Sequence, residues 1–216
     1  MTVLYPIPVF LQGEKMSAKA YEKPDFWSKK AFSEGYPARS VYKLKEMDEK
    51  FSLFTPTARV LDLGAAPGSW TTYVLRKIRE PGKVVAIDLS PLDKALVSPL
   101  LTFFQGDLCS PEIRKKVKAE GLFDAIICDA APATTGNKTV DTARSSGLVE
   151  IALWYAETLL VPGGNFVVKI FQGGQEREHL VKMRELFTSA RGFKPEACRT
   201  TSFETYLAGL GRKSFS

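Results

Sequence analysis

From Ala58 onward the chain alternates short, almost wholly apolar runs with segments of helical periodicity, and this alternation restricts its fold more than any other feature. The runs A-R-V-L-D-L-G, K-V-V-A-I-D-L, L-T-F-F-Q-G-D, F-D-A-I-I-C-D-A and G-N-F-V-V-K-I-F read as strands covered on both faces. Helices are expected from about Ser69 to Ile78, from Asp141 to Leu160 and from Glu176 to Ala190. In the second, Leu148, Ile151, Ala152, Tyr155 and Leu159 fall on one stripe. The runs F-K-P-E-A-C-R-T-T and F-E-T-Y-L-A-G-L read as a closing hairpin. The expected fold is α/β: a mainly parallel seven-stranded sheet between helices, with an antiparallel C-terminal hairpin. In such a sheet, ligands sit beyond the carboxyl ends of the strands.

The residues before this alternation differ in character. Residues 1–16 show no periodicity and read as a disordered or non-native extension, with Met16 an alternative start. The apolar opening M-T-V-L-Y-P-I-P-V-F-L lacks a basic leading region and carries Pro6 and Pro8, so it is a poor signal peptide. Residues 17–55 interleave Lys and Arg with Tyr21, Phe26, Trp27, Phe32, Tyr36 and Tyr42, a basic aromatic helical segment ahead of a domain spanning 56–216. Asp25 and Ser40 are candidate caps for two helices, one stopping near Gly35 and one running to about Phe54. No stretch approaches the ~18 apolar residues of a membrane span.

Three cysteines without C-x-x-C spacing and a single histidine, His179, argue against a disulfide scaffold, a zinc site and a Ser-His-Asp hydrolase; no metal is expected. Unpaired cysteines without a signal favour the cytoplasm. The net charge of +6 suits an anionic partner such as nucleic acid.

Asp62, Asp88, Asp107 and Asp129 stand at the ends of four successive strands, so a basic chain gathers negative charge in one crevice. The loop D-L-G-A-A-P-G-S-W matches neither the dinucleotide fingerprint nor the Walker pattern. Gly64 and Gly68 still allow close backbone approach, and the helix that follows favours a carboxylate or phosphate at its N-terminus. Asp88 lies where an acid accepts ribose hydroxyls. A nucleoside with a carboxylate tail and a positive centre satisfies all of these, and S-adenosylmethionine is such a molecule, its adenine amino group suited to Asp107. Lys169 interrupts a buried strand, which is costly unless the charge is paired, and Asp129 is placed to pair with it. Glu204 has the alternation of an inward-pointing acid.

These residues resemble the FtsJ-type RNA 2′-O-ribose methyltransferases, the heat-shock ribosomal RNA methyltransferase family. The likeness runs from about Phe26 to Lys213 through A-R-S-V-Y-K-L, D-L-G-A-A-P-G-S-W, A-I-D-L-S-P-L-D, Q-G-D-L, C-D-A-A-P, P-G-G-N-F-V-V-K-I-F-Q-G and S-F-E-T-Y. It implies a Rossmann-like class I S-adenosylmethionine-dependent methyltransferase fold and a catalytic set Lys43, Asp129, Lys169 and Glu204. It implies cofactor contacts at Gly68, Trp70, Asp88, Asp107 and Asp129. The implied substrate is a uridine of the large-subunit (23S-type) ribosomal RNA, methylated on the assembled subunit by a monomer. A branch acting on tRNA anticodon loops, and a non-catalytic ribosome-assembly or RNA-binding factor, are the alternatives. Two positions depart from the family pattern: Ser69, expected to be small and exposed, and Phe203, where an arginine is common.

In this reading Lys169 either accepts the proton of a ribose 2′-OH or steers its oxygen lone pair. Lys29, Lys30 and Arg39 are expected to hold RNA. The run Arg114–Lys118 reads as a solvated helix face, Arg212 and Lys213 as a frayed tail, and His179 as a surface residue.

Overall fold

The computed structural model describes residues 25–199 and 201–214; the expectation for residues 1–16, and that for the first part of the 17–55 segment, fall outside them. Two helices come first, α1 (Phe26–Ser33) and α2 (Val41–Phe51). There follow β1 (Arg59–Leu63), α3 (Ser69–Lys77), β2 (Lys83–Asp88), β3 (Leu101–Gln105), α4 (Pro111–Ala119) and β4 (Phe123–Cys128). The chain closes with α5 (Lys138–Leu159), β5 (Leu160–Phe171), α6 (Glu176–Leu186), β6 (Phe187–Phe193) and β7 (Glu204–Arg212).

The strands form one seven-stranded sheet in the order β3-β2-β1-β4-β5-β7-β6, with β7 alone running against its neighbours. The order reverses between β1 and β4, and this crevice is where an open parallel sheet binds its ligand. Strand alternation splits the apolar residues between two cores. Leu61, Leu63, Val85, Ile87, Ile126 and Val168 face α4, α5 and α6. Val60, Val84, Ile127, Val167, Tyr206 and Ala208 face the opposite layer, with Leu44 and Met47 of α2 and Trp70 and Val74 of α3. Asp62 and Lys169 fall on the strand positions that alternate toward this second layer.

Three bonds tie α2 to α3. The indole N–H of Trp70 donates to the Ser40 carbonyl at 2.9 Å, the Tyr73 hydroxyl donates to Asp48 at 2.8 Å, and Lys77 pairs with Asp48 at 3.0 Å. Asp25 caps α1 by accepting from the Ser28 N–H at 2.8 Å. Ser40 precedes α2 without a side-chain capping bond.

The hairpin is present but set earlier in the sequence than expected. Helix α6 ends at Leu186, and the first strand is Phe187–Phe193, which pairs with β7 from Phe187↔Arg212 to Phe193↔Tyr206. Buried Phe187 stacks on Phe166 with ring centroids 5.9 Å apart, and that packing outweighs the helical periodicity continuing to Ala190. The stretch after Phe193 turns at Pro195, whose carbonyl accepts from the Cys198 N–H. Arg212 and Lys213 are not a frayed tail: Arg212 ends β7, and Lys213 donates its N–H to Leu186 and its ammonium to the Arg184 carbonyl. His179 is buried rather than on the surface, its Nε2 2.6 Å from the Ser146 hydroxyl across the α5–α6 contact. No helix among the described residues is long and apolar enough to cross a membrane.

Candidate active site

The crevice at the ends of β1, β2 and β4 holds a cavity of about 350 Å³, lined among others by Gly64, Ala66, Asp88, Asp107, Asp129 and Ile151. Its first wall is the β1–α3 loop. The N–H groups of Gly64 and Ala65 both donate to the Ile87 carbonyl, at 2.9 and 3.1 Å, which folds the loop over the end of β2. Gly64 has φ +76°, and a Cβ there would lie 2.6 Å from the Ala130 backbone, so only glycine lets the β1 and β4 loops meet. Gly68, at φ +112°, begins α3 without a side-chain cap, so the first N–H groups of that helix have no capping side chain.

Two carboxylates, Asp88 and Asp107, line this half of the crevice, and a third, Asp62, is buried within β1. Asp88 accepts from the N–H groups of Ala66 at 2.9 Å and Ser90 at 2.7 Å, and Asp107 accepts from the Cys109 N–H at 2.8 Å. Among the described residues neither has a cation within ion-pair distance. Asp62 lies wholly buried inside β1. Burial raises its pKa to about 7 against the hydrogen bonds from Thr71, with Asp129 and Asp88 adding to the rise. One of its oxygens accepts from the Thr71 hydroxyl at 2.7 Å; the other has no partner. Ser69, expected to be exposed, is buried at the first position of α3, and its hydroxyl is also unpartnered. Two orphaned buried polar atoms, acids without a paired cation and an uncapped helix start suit a ligand carrying a cation, a carboxylate and a hydroxylated sugar. S-adenosylmethionine fits that donor set. The Trp70 side chain is turned into the core, so any contact from this position would come from its backbone. Among the described residues no cluster of His, Cys, Asp and Glu could hold a metal ion.

The second half of the crevice brings Lys43, Asp129, Lys169 and Glu204 together. Register explains it: Lys169 of β5 opposes Tyr206 of β7, Phe171 opposes Glu204, and Cys128 opposes Val168 on the other side. Lys169 and Glu204 therefore share a sheet face, with Asp129 beside them at the end of β4. The Lys169 ammonium lies 3.0 Å from an Asp129 oxygen and also donates to the Asp129 carbonyl. Lys43, projected from α2, lies 2.6 Å from Glu204. All four side chains are largely buried, so removing one partner would leave an uncompensated charge.

Lys169 carries the decisive electrostatics. Burial pushes its pKa down, but the charge and hydrogen bonding of Asp129, with a further push from Glu204, leave it above the ordinary lysine value. It rests as an ammonium. Tyr206 is the residue that the sequence reading missed: its hydroxyl donates to the same Asp129 oxygen at 2.8 Å. Burial, then Asp129 and Glu204, hold its pKa well above that of a free phenol, so it remains a donor. Its signal was the alternation from Glu204, which puts the residue two positions on upon the same face.

Of the residues expected to hold RNA, Lys29 and Lys30 are exposed on α1 beside Phe26, which is 71% exposed. Lys30 also lies 5.5 Å from the Trp27 ring and 5.1 Å from the Tyr42 ring. Arg39 is engaged within the protein instead, paired with Asp25 and donating to the Ala197 carbonyl at 2.8 Å. Phe203 packs on Phe171 with ring centroids 4.7 Å apart, and nothing in the structure explains the departure from arginine.

Comparison with known proteins follows the same lines. The family model described as FtsJ-like methyltransferase matches residues 36–212. The ribosomal RNA large subunit methyltransferase E of Treponema denticola is 64% identical over 198 residues, covering 92% of this chain and 100% of the relative. Its counterpart in Oleidesulfovibrio alaskensis is 47% identical over 191 residues, 88% of this chain and 92% of the relative. Among solved structures, a putative ribosomal RNA methyltransferase from Plasmodium falciparum superposes with a TM-score of 0.72 at 27% identity, covering 83% of this chain and all of that one.

Proposed function

This chain belongs to the FtsJ-like methyltransferase family, and from that premise we infer that it methylates the ribose 2′-OH of a uridine in large-subunit ribosomal RNA, using S-adenosylmethionine. The observation that carries the chemistry is the pair of buried ion pairs, Lys169–Asp129 and Lys43–Glu204, set beside an acidic cavity. When bound, S-adenosylmethionine supplies a methyl group already activated by its positive sulfur.

The protein then has two tasks, which are to hold its reactants and to manage one proton. Asp88 is assigned to the ribose hydroxyls of the cofactor, Asp107 to the adenine amino group, and the start of α3 at Gly68–Trp70 to its carboxylate. Asp62 and Asp129 supply the negative wall that favours a cation. Fixing two reactants in a productive orientation is worth ~7–11 kcal/mol of the barrier, so most of the acceleration comes from this rigidity.

Lys169 starts as an ammonium because Asp129 and Glu204 keep it so. In that form it donates to the substrate oxygen and turns a lone pair toward the methyl group; as the O–CH3 bond forms, the S–CH3 bond breaks with its electron pair on sulfur, and the hydroxyl proton, made acidic by the new bond, leaves late to solvent water. Asp129, held by Lys169 and Tyr206 on one oxygen, is fixed in orientation. Lys43 and Glu204 fix the ribose and the far side of Lys169. All four charged residues come from one chain, which supports a monomeric enzyme, and a ribosomal substrate supports a cytoplasmic site of action. Lys29, Lys30 and Phe26 on α1 form the surface assigned to RNA, through charge and stacking.

The test is transfer of labelled methyl from S-adenosylmethionine to ribosomal particles and tRNA taken from a strain lacking the enzyme, with Lys169→Ala alongside. A 2′-O-methylated uridine in large-subunit RNA, absent with the variant, is the expected result. Label in tRNA alone would overturn the substrate and keep the chemistry. Cofactor binding without label in any RNA would point to a non-catalytic RNA-binding factor.

A further inference from the structure

Lys43 and Glu204 belong to different parts of the molecule: one sits in the second helix, the other at the start of the last strand, 161 residues later by their numbers. Their 2.6 Å contact needs something to hold the two parts in register. The segment between β6 and β7, which leads into Glu204, is seated on α2 by one carboxylate. Glu46, one helical turn after Lys43, accepts from the Glu196 N–H at 2.6 Å through one oxygen and from the Ala197 N–H at 2.8 Å through the other. Arg39, just ahead of α2, donates to the carbonyl of the same Ala197 at 2.8 Å. Ala197 is 2% exposed, so its peptide groups lie where water gives little compensation. Arg39 in turn pairs with Asp25, the N-cap of α1. On its other side α2 is fixed to α3 by Asp48 and by the Trp70 indole.

We propose that Glu46 is a positioning residue for methyl transfer, a carboxylate clamp that seats the β6–β7 segment on α2 and so sets the Lys43–Glu204 contact. Arg39 is the second jaw of the same clamp, which explains why this cation is engaged inside the protein. The inference rests on the methyltransferase reading of the site. It adds a residue that touches neither substrate nor cofactor and acts through two that line the reaction site. None of Glu46, Arg39 and Ala197 lines the cavity of the cofactor half, so cofactor affinity should be independent of the clamp. A misplacement of the order of 1 Å at a reacting group can lower turnover about 100-fold, so a small shift of Glu204 suffices for a measurable loss.

The experiment is a double-mutant cycle on the full chain, with kcat, KM for ribosomal substrate and cofactor Kd measured for Glu46→Ala, Glu46→Gln, Lys43→Met and the pairs. Glu46→Ala is expected to lower kcat about tenfold or more while leaving cofactor Kd within about twofold. Glu46→Gln, which can still accept one of the two bonds, should recover part of that loss. In the Lys43→Met background Glu46→Ala should cost little more, because the contact it sets is already gone. Unchanged kcat in Glu46→Ala would overturn the proposal. So would an additive loss in the double variant, or a loss confined to cofactor Kd. If Glu46→Ala does not fold, the same comparison is made with Glu46→Gln, and additivity with Lys43→Met again overturns it. Full activity of Lys43→Met would instead remove the catalytic reading of that lysine, and the clamp with it, an outcome distinguishable from the others by the single variant alone.

Discussion

On the β1–β3 side of the crevice, Asp62, Asp88 and Asp107 have no cation within ion-pair distance among the described residues, whereas on the β4–β7 side Asp129 and Glu204 each hold a lysine. Both sides are built from strand ends of one sheet, so the difference is one of sequence and not of architecture. Carboxylates left without a cation are free to neutralise a charge that arrives from solvent. Carboxylates already paired have less charge to spare for that, and they also fix the orientation and protonation of the lysines they hold. On the proposed reading, acids on one side serve chiefly binding, and acids on the other chiefly geometry.

This division can be broken experimentally. Lys169→Ala is expected to lower transfer by a factor of about 1,000 or more while cofactor Kd changes little, because the proposed role of the lysine is on the substrate oxygen. A fall in cofactor affinity of similar size would dissolve the distinction between the two sides. Asp88→Ala is the reciprocal case. It should weaken cofactor binding about 10- to 100-fold, the worth of hydrogen bonds to a charged group, with kcat at saturating cofactor largely kept. Equilibrium titration and saturation kinetics on the same preparation check both.

Smaller effects sharpen the comparison. Tyr206→Phe removes one donor from Asp129 and leaves the ring packed beside Trp70, so a three- to tenfold loss of kcat, about 1 kcal/mol, is expected without a change in cofactor Kd. Asp62 predicts a pH effect. Its folded pKa of about 7 lies above the ordinary 3.8, so the protonated form is the one the fold favours. The stability this contributes is full below the unfolded value and is lost as pH rises through about 7. A cationic ligand favours the ionised form, so cofactor affinity should rise a few-fold between pH 6 and pH 8, with proton release on binding. Asp62→Asn should flatten that rise; calorimetry in two buffers of different ionisation enthalpy reads both.

Much of this was legible in the sequence because strand ends are marked twice, by apolar runs that stop and by the polar residues that follow. Asp88, Asp107 and Asp129 could be placed at one edge from period and position alone. Lys169 stood out as a charge inside an apolar run. The join of Lys43 to that edge came only from the resemblance, because no periodicity reveals which helix covers a strand 126 residues away, as Lys43 and Lys169 are numbered. His179 and Ser69 were misread for a related reason. A histidine among Glu, Arg and Leu looks solvated until Ser146 of another helix is found against it, and a serine opening a helix looks exposed until the loop before it folds inward. The β6 strand was hidden because Ser189, Ala190 and Gly192 do not favour a strand, and the pairing with β7 decides them. Clamps such as Glu46 are invisible at this level, since a half-exposed glutamate on a helix looks the same whether it meets water or a distant peptide N–H.

Gly64 ties the two sides together. Its missing side chain allows the loop that opens the binding half to rest against Ala130, the residue following Asp129. Any variant that enlarges position 64, even by a methyl, displaces an anchor of each half at once. The site therefore has no separate adjustments for grip and for turnover. Lineages descending from such a protein are expected to keep position 64 bare while its neighbours diverge, and to retune either property only from residues that stand outside this backbone contact.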